Sequence, residues 1–249
     1  MAGYSIPLVT LSLPFKPLTF SNDLMMNRQI ALIFSVIAIL ITGCGKDQFS
    51  GDDGSFKDTR DKQVYKWLRI GEQIWMAENL AYLPGVNPSG DGSLTVPKYY
   101  VYDHETSSIS EAKSSQNFDT YGVLYNWNAA MISCPAGWHL PTDAEWTELT
   151  DFLGEWAGNH MKEAGIAHWE APNLGSTNAS GFTALPGGFR NYDTGFSHLT
   201  VTASYWTATD EAVSHAWKRY LYDNDFIVYR RFEEKSYGHS VRCVKDPVE

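Results

Sequence analysis

The segment Leu140-Pro141-Thr142-Asp143-Ala144-Glu145-Trp146 restricts the fold of this chain more than any other. Thr142 and Glu145 stand at the spacing of a capping box. The hydroxyl and the carboxylate each take a backbone N–H that the start of a helix leaves without a partner. Trp146, Leu149 and Leu153 then recur at helical intervals and give the helix one apolar face to bury. The stretch from Tyr121 to Ile132 reads as a second helix, with Leu124, Trp127 and Met131 on one side. Around these helices the text is short strands and turns. Val64–Ile70 and Gln73–Met76 flank Gly71-Glu72 and read as a hairpin whose glycine supplies a positive φ. Tyr220–Tyr222 and Phe226–Tyr229 flank Asp223-Asn224 and suggest another, while Ser240–Val244 reads as a closing strand. The polar stretch from Ser107 to Asn117 reads as an insertion. With 9 Trp, 14 Tyr, 12 Phe and 20 Gly, the composition suits a loop-heavy, β-containing structure. The expected class is therefore α+β, in a single domain over residues 61–249 with no internal repeat.

The N-terminal part carries an address. Met26-Asn27-Arg28-Gln29 is a short positive segment, and Ile30 to Ile41 is an apolar run interrupted only by Ser35. The run is shorter than the roughly 18 residues a membrane span needs, and has the shape of a secretory signal. Thr42-Gly43 then leads into Cys44, and Ile41-Thr42-Gly43-Cys44 resembles a bacterial lipobox. Cys44 is expected to be lipidated and to become the mature N-terminus. Residues 1–43 are read as an upstream extension plus signal peptide, with synthesis starting at Met25 or Met26. Residues 44–60, small and acidic, are expected to be a flexible tether. The location that follows is the cell envelope, as an outer-membrane lipoprotein that is exposed at the surface in one reading. A net charge of −10 argues against a nucleic-acid partner, which would require a basic face.

Five phrases carry a family resemblance. They are Ile70-Gly71-Glu72-Gln73-Ile74-Trp75-Met76-Ala77-Glu78-Asn79-Leu80, then Cys134-Pro135-Ala136-Gly137-Trp138-His139 running into the capping box, then Gly181-Phe182-Thr183-Ala184-Leu185-Pro186-Gly187-Gly188-Phe189-Arg190, Tyr205-Trp206-Thr207-Ala208-Thr209 and Ser240-Val241-Arg242-Cys243-Val244-Lys245-Asp246. In this order they resemble the Fibrobacter succinogenes major paralogous domain of envelope lipoproteins, a family without an established biochemical function. More distantly, the helix leading to Cys134, the Leu140–Leu153 helix and the late Cys243 resemble a C-type-lectin-like fold: two helices packed on short antiparallel strands with long loops. That resemblance implies a disulfide between Cys134 and Cys243. The alternative is two separate thiols, and in an exported chain the bonded pair is the expected state. The Leu-Pro-Thr-x-Ala-Glu-Trp phrase is also similar to the formylglycine-generating branch of that fold. That branch's oxidase chemistry needs further late cysteines, which are missing here, so the activity is not expected.

The remaining residues point to binding rather than catalysis. The 7 histidines are scattered with no metal-ligand spacing, so no metal and no cofactor are expected. Glu170-Ala171-Pro172-Asn173 departs from the Glu-Pro-Asn calcium motif of sugar-binding lectins by its inserted alanine. Trp75, Trp127, Trp138 and Trp146 are read as core. In the loop-rich second half, Arg190, Asn191, Tyr192 and Asp193 form the best exposed candidate cluster, with Trp206, Trp217 and Tyr222 as further candidate contacts for a ligand. The expected function is a lipid-anchored envelope protein, non-enzymatic, that binds a glycan or a surface protein. The alternatives are a structural adhesin or surface-assembly component and an unrecognised polysaccharide hydrolase.

Overall fold

The computed structural model describes residues 49–192 and 195–247. Cys44, the signal segment before it and Asp193 lie outside the described residues.

A five-stranded sheet runs in the order β1-β2-β3-β12-β6, from Ser50–Lys57, Val64–Ile70, Gln73–Met76, Val244–Lys245 and Trp138–His139. The hairpin at Gly71-Glu72 forms as read: Ile70 pairs with Gln73, and Gly71 sits at φ +59°. The closing strand is short. Val244 pairs with Trp75 on one side and His139 on the other, so the closing strand is held between β3 and the edge strand β6. A three-stranded sheet, β11-β10-β9, is built from Tyr229–Glu234, His215–Tyr222 and Thr202–Asp210. Two small ribbons complete the strands: β4 (Tyr99–Tyr100) with β5 (Leu124–Tyr125), and β7 (Gly187–Asn191) with β8 (Gly195–Leu199).

Five helices lie among the described residues: α1 (Ile109–Lys113), α2 (Gln116–Tyr121), α3 (Trp127–Ser133), α4 (Asp143–Leu153) and α5 (Ala157–Met161). The capping box is present on α4. Thr142 Oγ1 accepts from Glu145 N at 3.2 Å, and Glu145 Oε2 accepts from Thr142 N at 2.7 Å. Trp146, Leu149 and Leu153 are all buried beneath it. There Trp146 meets Trp75 edge-on at 5.0 Å, with Phe182 at 5.8 Å and Tyr205 at 5.5 Å. Trp127 and Trp138 pack, partly buried, on the other hydrophobic cluster. The disulfide between Cys134 and Cys243 joins the end of α3 to the closing strand, across 109 residues of chain.

Four expectations need correction. The helix expected over 121–132 is broken: Gly122 stands at φ +75°, with Leu80 O only 2.8 Å from where a Cβ would be. The chain then makes β5 and restarts as α3 with Asn126 as its cap, which leaves Met131 exposed. The insertion over 107–117 holds α1 and the start of α2, each capped by a serine hydroxyl. The tether expected over 44–60 contains β1, a paired strand. Its small residues are what the pairing needs, since a Cβ on Gly54 would lie 2.7 Å from the Trp67 ring, while Phe56 stacks on Trp138 at 4.6 Å. The second half carries longer strands than the short ones expected, Thr202–Asp210 and His215–Tyr222, and its late hairpin resumes only at Tyr229, opposite Tyr220.

Candidate functional site

The loop over 84–97 has no regular secondary structure, yet side chains hold it at many points. Asn126, the cap of α3, donates from Nδ2 to Ser93 O at 2.9 Å and Val96 O at 2.8 Å, while its Oδ1 accepts from Lys98 N. Asn128 reaches Leu94 O at 2.8 Å. Tyr100 Oη donates to Asp91 O at 2.8 Å, and the Lys98 ammonium, 2.7 Å from Asp91, holds that carboxyl below its ordinary pKa. One helix cap therefore also fixes a loop wall. Such a loop has little conformational freedom left to lose on binding.

Arg190 clamps the same loop from beneath. It is fully buried, donating from Nε to Ser89 O at 2.6 Å and from Nη1 to Ser236 O at 2.8 Å, with its guanidinium 4.9 Å from the Tyr100 ring centre. Its Nη2 has no hydrogen-bond partner, and it lies under Gly92, where a Cβ would approach to 2.8 Å. Among the described residues no carboxylate forms an ion pair with it. The expected exposed role of Arg190 is thus corrected. A guanidinium on the inward side of β7 meets main-chain carbonyls and an aromatic face, and those contacts bury it.

Above Arg190 opens a pocket of about 290 Å³. Gly90, Gly92, Ser93 and Leu94 form one wall, and Glu234 and Ser236 form the other. The Ser236 hydroxyl donates to the Glu234 carboxylate. Tyr192 stands on the rim, 58% exposed, with its ring edge-on to Tyr237 at 5.7 Å. This arrangement offers a flat aromatic face, a carboxylate, two serine side chains and glycine backbone that permits close approach. Those groups match the alternating C–H and O–H surfaces of a polyhydroxylated ligand.

Of the other residues expected at a site, Asn191 is half-buried on β7 and donates to Ser197 Oγ at 3.3 Å. Trp206 is corrected to core: it is fully buried on β9, its indole N–H bonded to Tyr125 O at 2.8 Å. Trp217 lies on β10 against Phe232, and the Arg230 guanidinium covers its ring at 3.3 Å. Tyr222 packs among Tyr220 and Tyr229 at 5.4 and 5.9 Å. Neither lines the pocket. Ser93, Glu234 and Ser236 were not singled out from sequence. The Gly90-Asp91-Gly92-Ser93 turn cluster was the available signal, but nothing local ties it to residues more than 90 positions away.

A second cavity of about 490 Å³ lies over Arg242. Arg242 is buried and bonded to Asn79 Oδ1 at 2.7 Å, to Phe182 O, and to Thr183 O at 3.3 Å, tying three segments together. Its neighbour Asn79 also donates to Tyr121 O, and Glu78 accepts from Lys66 N. Arg242 Nη1 and Nη2, Asn79 and Glu78 are engaged in holding the fold, and none of the aromatic lining residues is exposed. Among the described residues, no group of three His, Cys, Asp or Glu side chains could hold a metal ion.

A family model, the Fibrobacter succinogenes major domain, matches residues 68–245. The chain belongs to that family. No curated protein matches the chain, and no solved structure matches it.

Proposed function

We propose that this is a lipid-anchored envelope protein, held at the outer membrane through Cys44, whose C-type-lectin-like domain binds a glycan without chemically altering it. The observation that carries the reading is the pocket beside Tyr192: an exposed aromatic ring at the mouth of a small polar cleft whose loop wall is already fixed by Asn126, Asn128 and Arg190. Preorganised walls reduce the ordering cost of binding. Glu234 is the carboxylate among the described lining residues, whereas glycoside hydrolysis generally uses two facing carboxyl groups. That favours recognition over hydrolysis. The capping-box helix, the antiparallel strands and the Cys134–Cys243 closure support the lectin-like architecture. The lipobox at Ile41–Cys44 supports the anchor.

A glycan array probed with the released domain tests the reading. Binding that is weakened at least tenfold by Tyr192→Ala, about 1.4 kcal/mol, is the expected result. Undiminished binding would place the site elsewhere.

A further inference from the structure

The surface at the end of α4 carries an unusual concentration of exposed apolar side chains. Phe152 is 47% exposed, Trp156 56%, Phe226 37% and Ile227 42%. Trp156, Phe226 and Ile227 form one neighbourhood, and Phe152 joins it through Phe49, which also meets His160 one turn along from Trp156. Trp156 meets Phe226 edge-on at 6.5 Å, Gly158 N donates to Phe226 O, and an open cleft of about 450 Å³ runs between Gly154–Ala157 and Ile227–Val228. Contiguous exposed apolar surface of this kind marks an interaction site.

Where the chain enters the domain says what covers it. Phe49, the first described residue, packs against Phe152 at 6.2 Å and His160 at 4.5 Å, so the N-terminal end of the domain lies on this same surface. Cys44 is five residues upstream, and five extended residues reach at most about 18 Å. A lipid on Cys44 is therefore confined close to the patch. We infer that Phe152, Trp156, Phe226 and Ile227 rest on the bilayer surface, a second membrane contact that acts together with the Cys44 lipid and orients the domain. The inference rests on the lipid-anchor reading given above.

Three features fit a bilayer. Tryptophan and phenylalanine favour the region between headgroups and acyl chains. The charged neighbours Asp151 and Glu155 are acidic, which selects zwitterionic over anionic lipid. And β11 begins three residues after Phe226 and ends at Glu234, on the wall of the Tyr192 pocket. At the rise of a β-strand its six residues set the pocket roughly 17 Å along the strand from the patch. That separation leaves room for the pocket to stay clear of a membrane on which the patch lies.

The test uses the full lipoprotein, purified from cells given a clickable fatty acid and reconstituted into phosphatidylcholine vesicles with brominated acyl chains. Label on Cys44, with a bromine-quenched tryptophan component that Trp156→Phe lacks, is the expected outcome. Hydrogen exchange over 152–156 and 226–228 should slow on the vesicles, and a Phe152→Ser/Phe226→Ser variant that keeps its label and its melting temperature should lose that protection. Label without quenching or protection would overturn the patch alone. Absence of label on Cys44 would overturn the anchor reading, and the patch with it.

Discussion

Lys162 is the sharpest test of how this domain is held together. The side chain is fully buried at the end of α5. Its ammonium donates to Leu174 O at 3.1 Å, Tyr222 O at 3.1 Å and Asp225 O at 2.8 Å. No carboxylate forms an ion pair with it among the described residues, and burial pushes its pKa down from 10.5 to about 8. It staples two irregular segments to a helix through main-chain oxygens, with the Trp169 ring centre 5.6 Å from the ammonium. Replacement by methionine keeps the volume and removes the charge, so two effects compete. Relief of the depressed pKa returns roughly 3 kcal/mol at pH 7. Stranding three part-buried carbonyls costs roughly 1–3 kcal/mol each. The carbonyls win, and Lys162→Met should destabilise the domain by about 2–3 kcal/mol at pH 7. The pH dependence isolates the charge. Because the folded value lies below the unfolded one, the unfolded chain holds more protons between pH 8 and 10.5. Stability attributable to Lys162 is then complete above about pH 10.5 and is lost as pH falls through 8. Urea titrations at pH 7 and 9.5 should show wild type gaining about 2 kcal/mol relative to Lys162→Met. Parallel curves for the two proteins would refute the reasoning.

Other outcomes follow from single contacts. Cys134→Ala/Cys243→Ala opens a closure of 109 residues and should cost roughly 5 kcal/mol, or 10–20 °C in melting temperature, by calorimetry. His139 is held between Glu145 at 2.8 Å and Asp246 at 2.7 Å, and those bonds raise its pKa, with Glu145 the larger cause. Its contribution to stability should be complete below the unfolded value near pH 6.5 and fade as pH rises through the higher folded value. NMR titration of Asp246→Asn should show the His139 midpoint moving down. Arg190→Ala removes the donors to Ser89 and Ser236, and should lower stability by about 2–4 kcal/mol with faster exchange over 88–93.

The parts legible in the sequence are those governed by neighbours along the chain. The Thr142/Glu145 cap, the Gly71 turn and the apolar face of α4 each depend on residues within one or two turns. The break at Gly122 was not legible, because it arises from the approach of Leu80 O, 42 residues away in sequence. Nor was β1, whose glycine-rich text lacks a strand's side chains but fits under Trp67 as larger residues would not. At the candidate site, Tyr192 was legible as an aromatic among turn residues. Arg190 beside it reads as exposed in the sequence, because the carbonyls of Ser89 and Ser236 that bury it come from distant segments. Replacing Arg190 together with Tyr192 would therefore confound unfolding with loss of a binding surface. Tyr192 alone is the informative position.

The central claim is that the pocket beside Tyr192 recognises a glycan. Its most direct test is a calorimetric titration of the released domain with the strongest glycan from an array, comparing wild type with Tyr192→Ala and Glu234→Gln. Saturable binding by wild type, at least tenfold weaker in both variants at unchanged melting temperature, is the predicted result. Equal affinity in all three proteins, or no glycan bound by wild type, would contradict it.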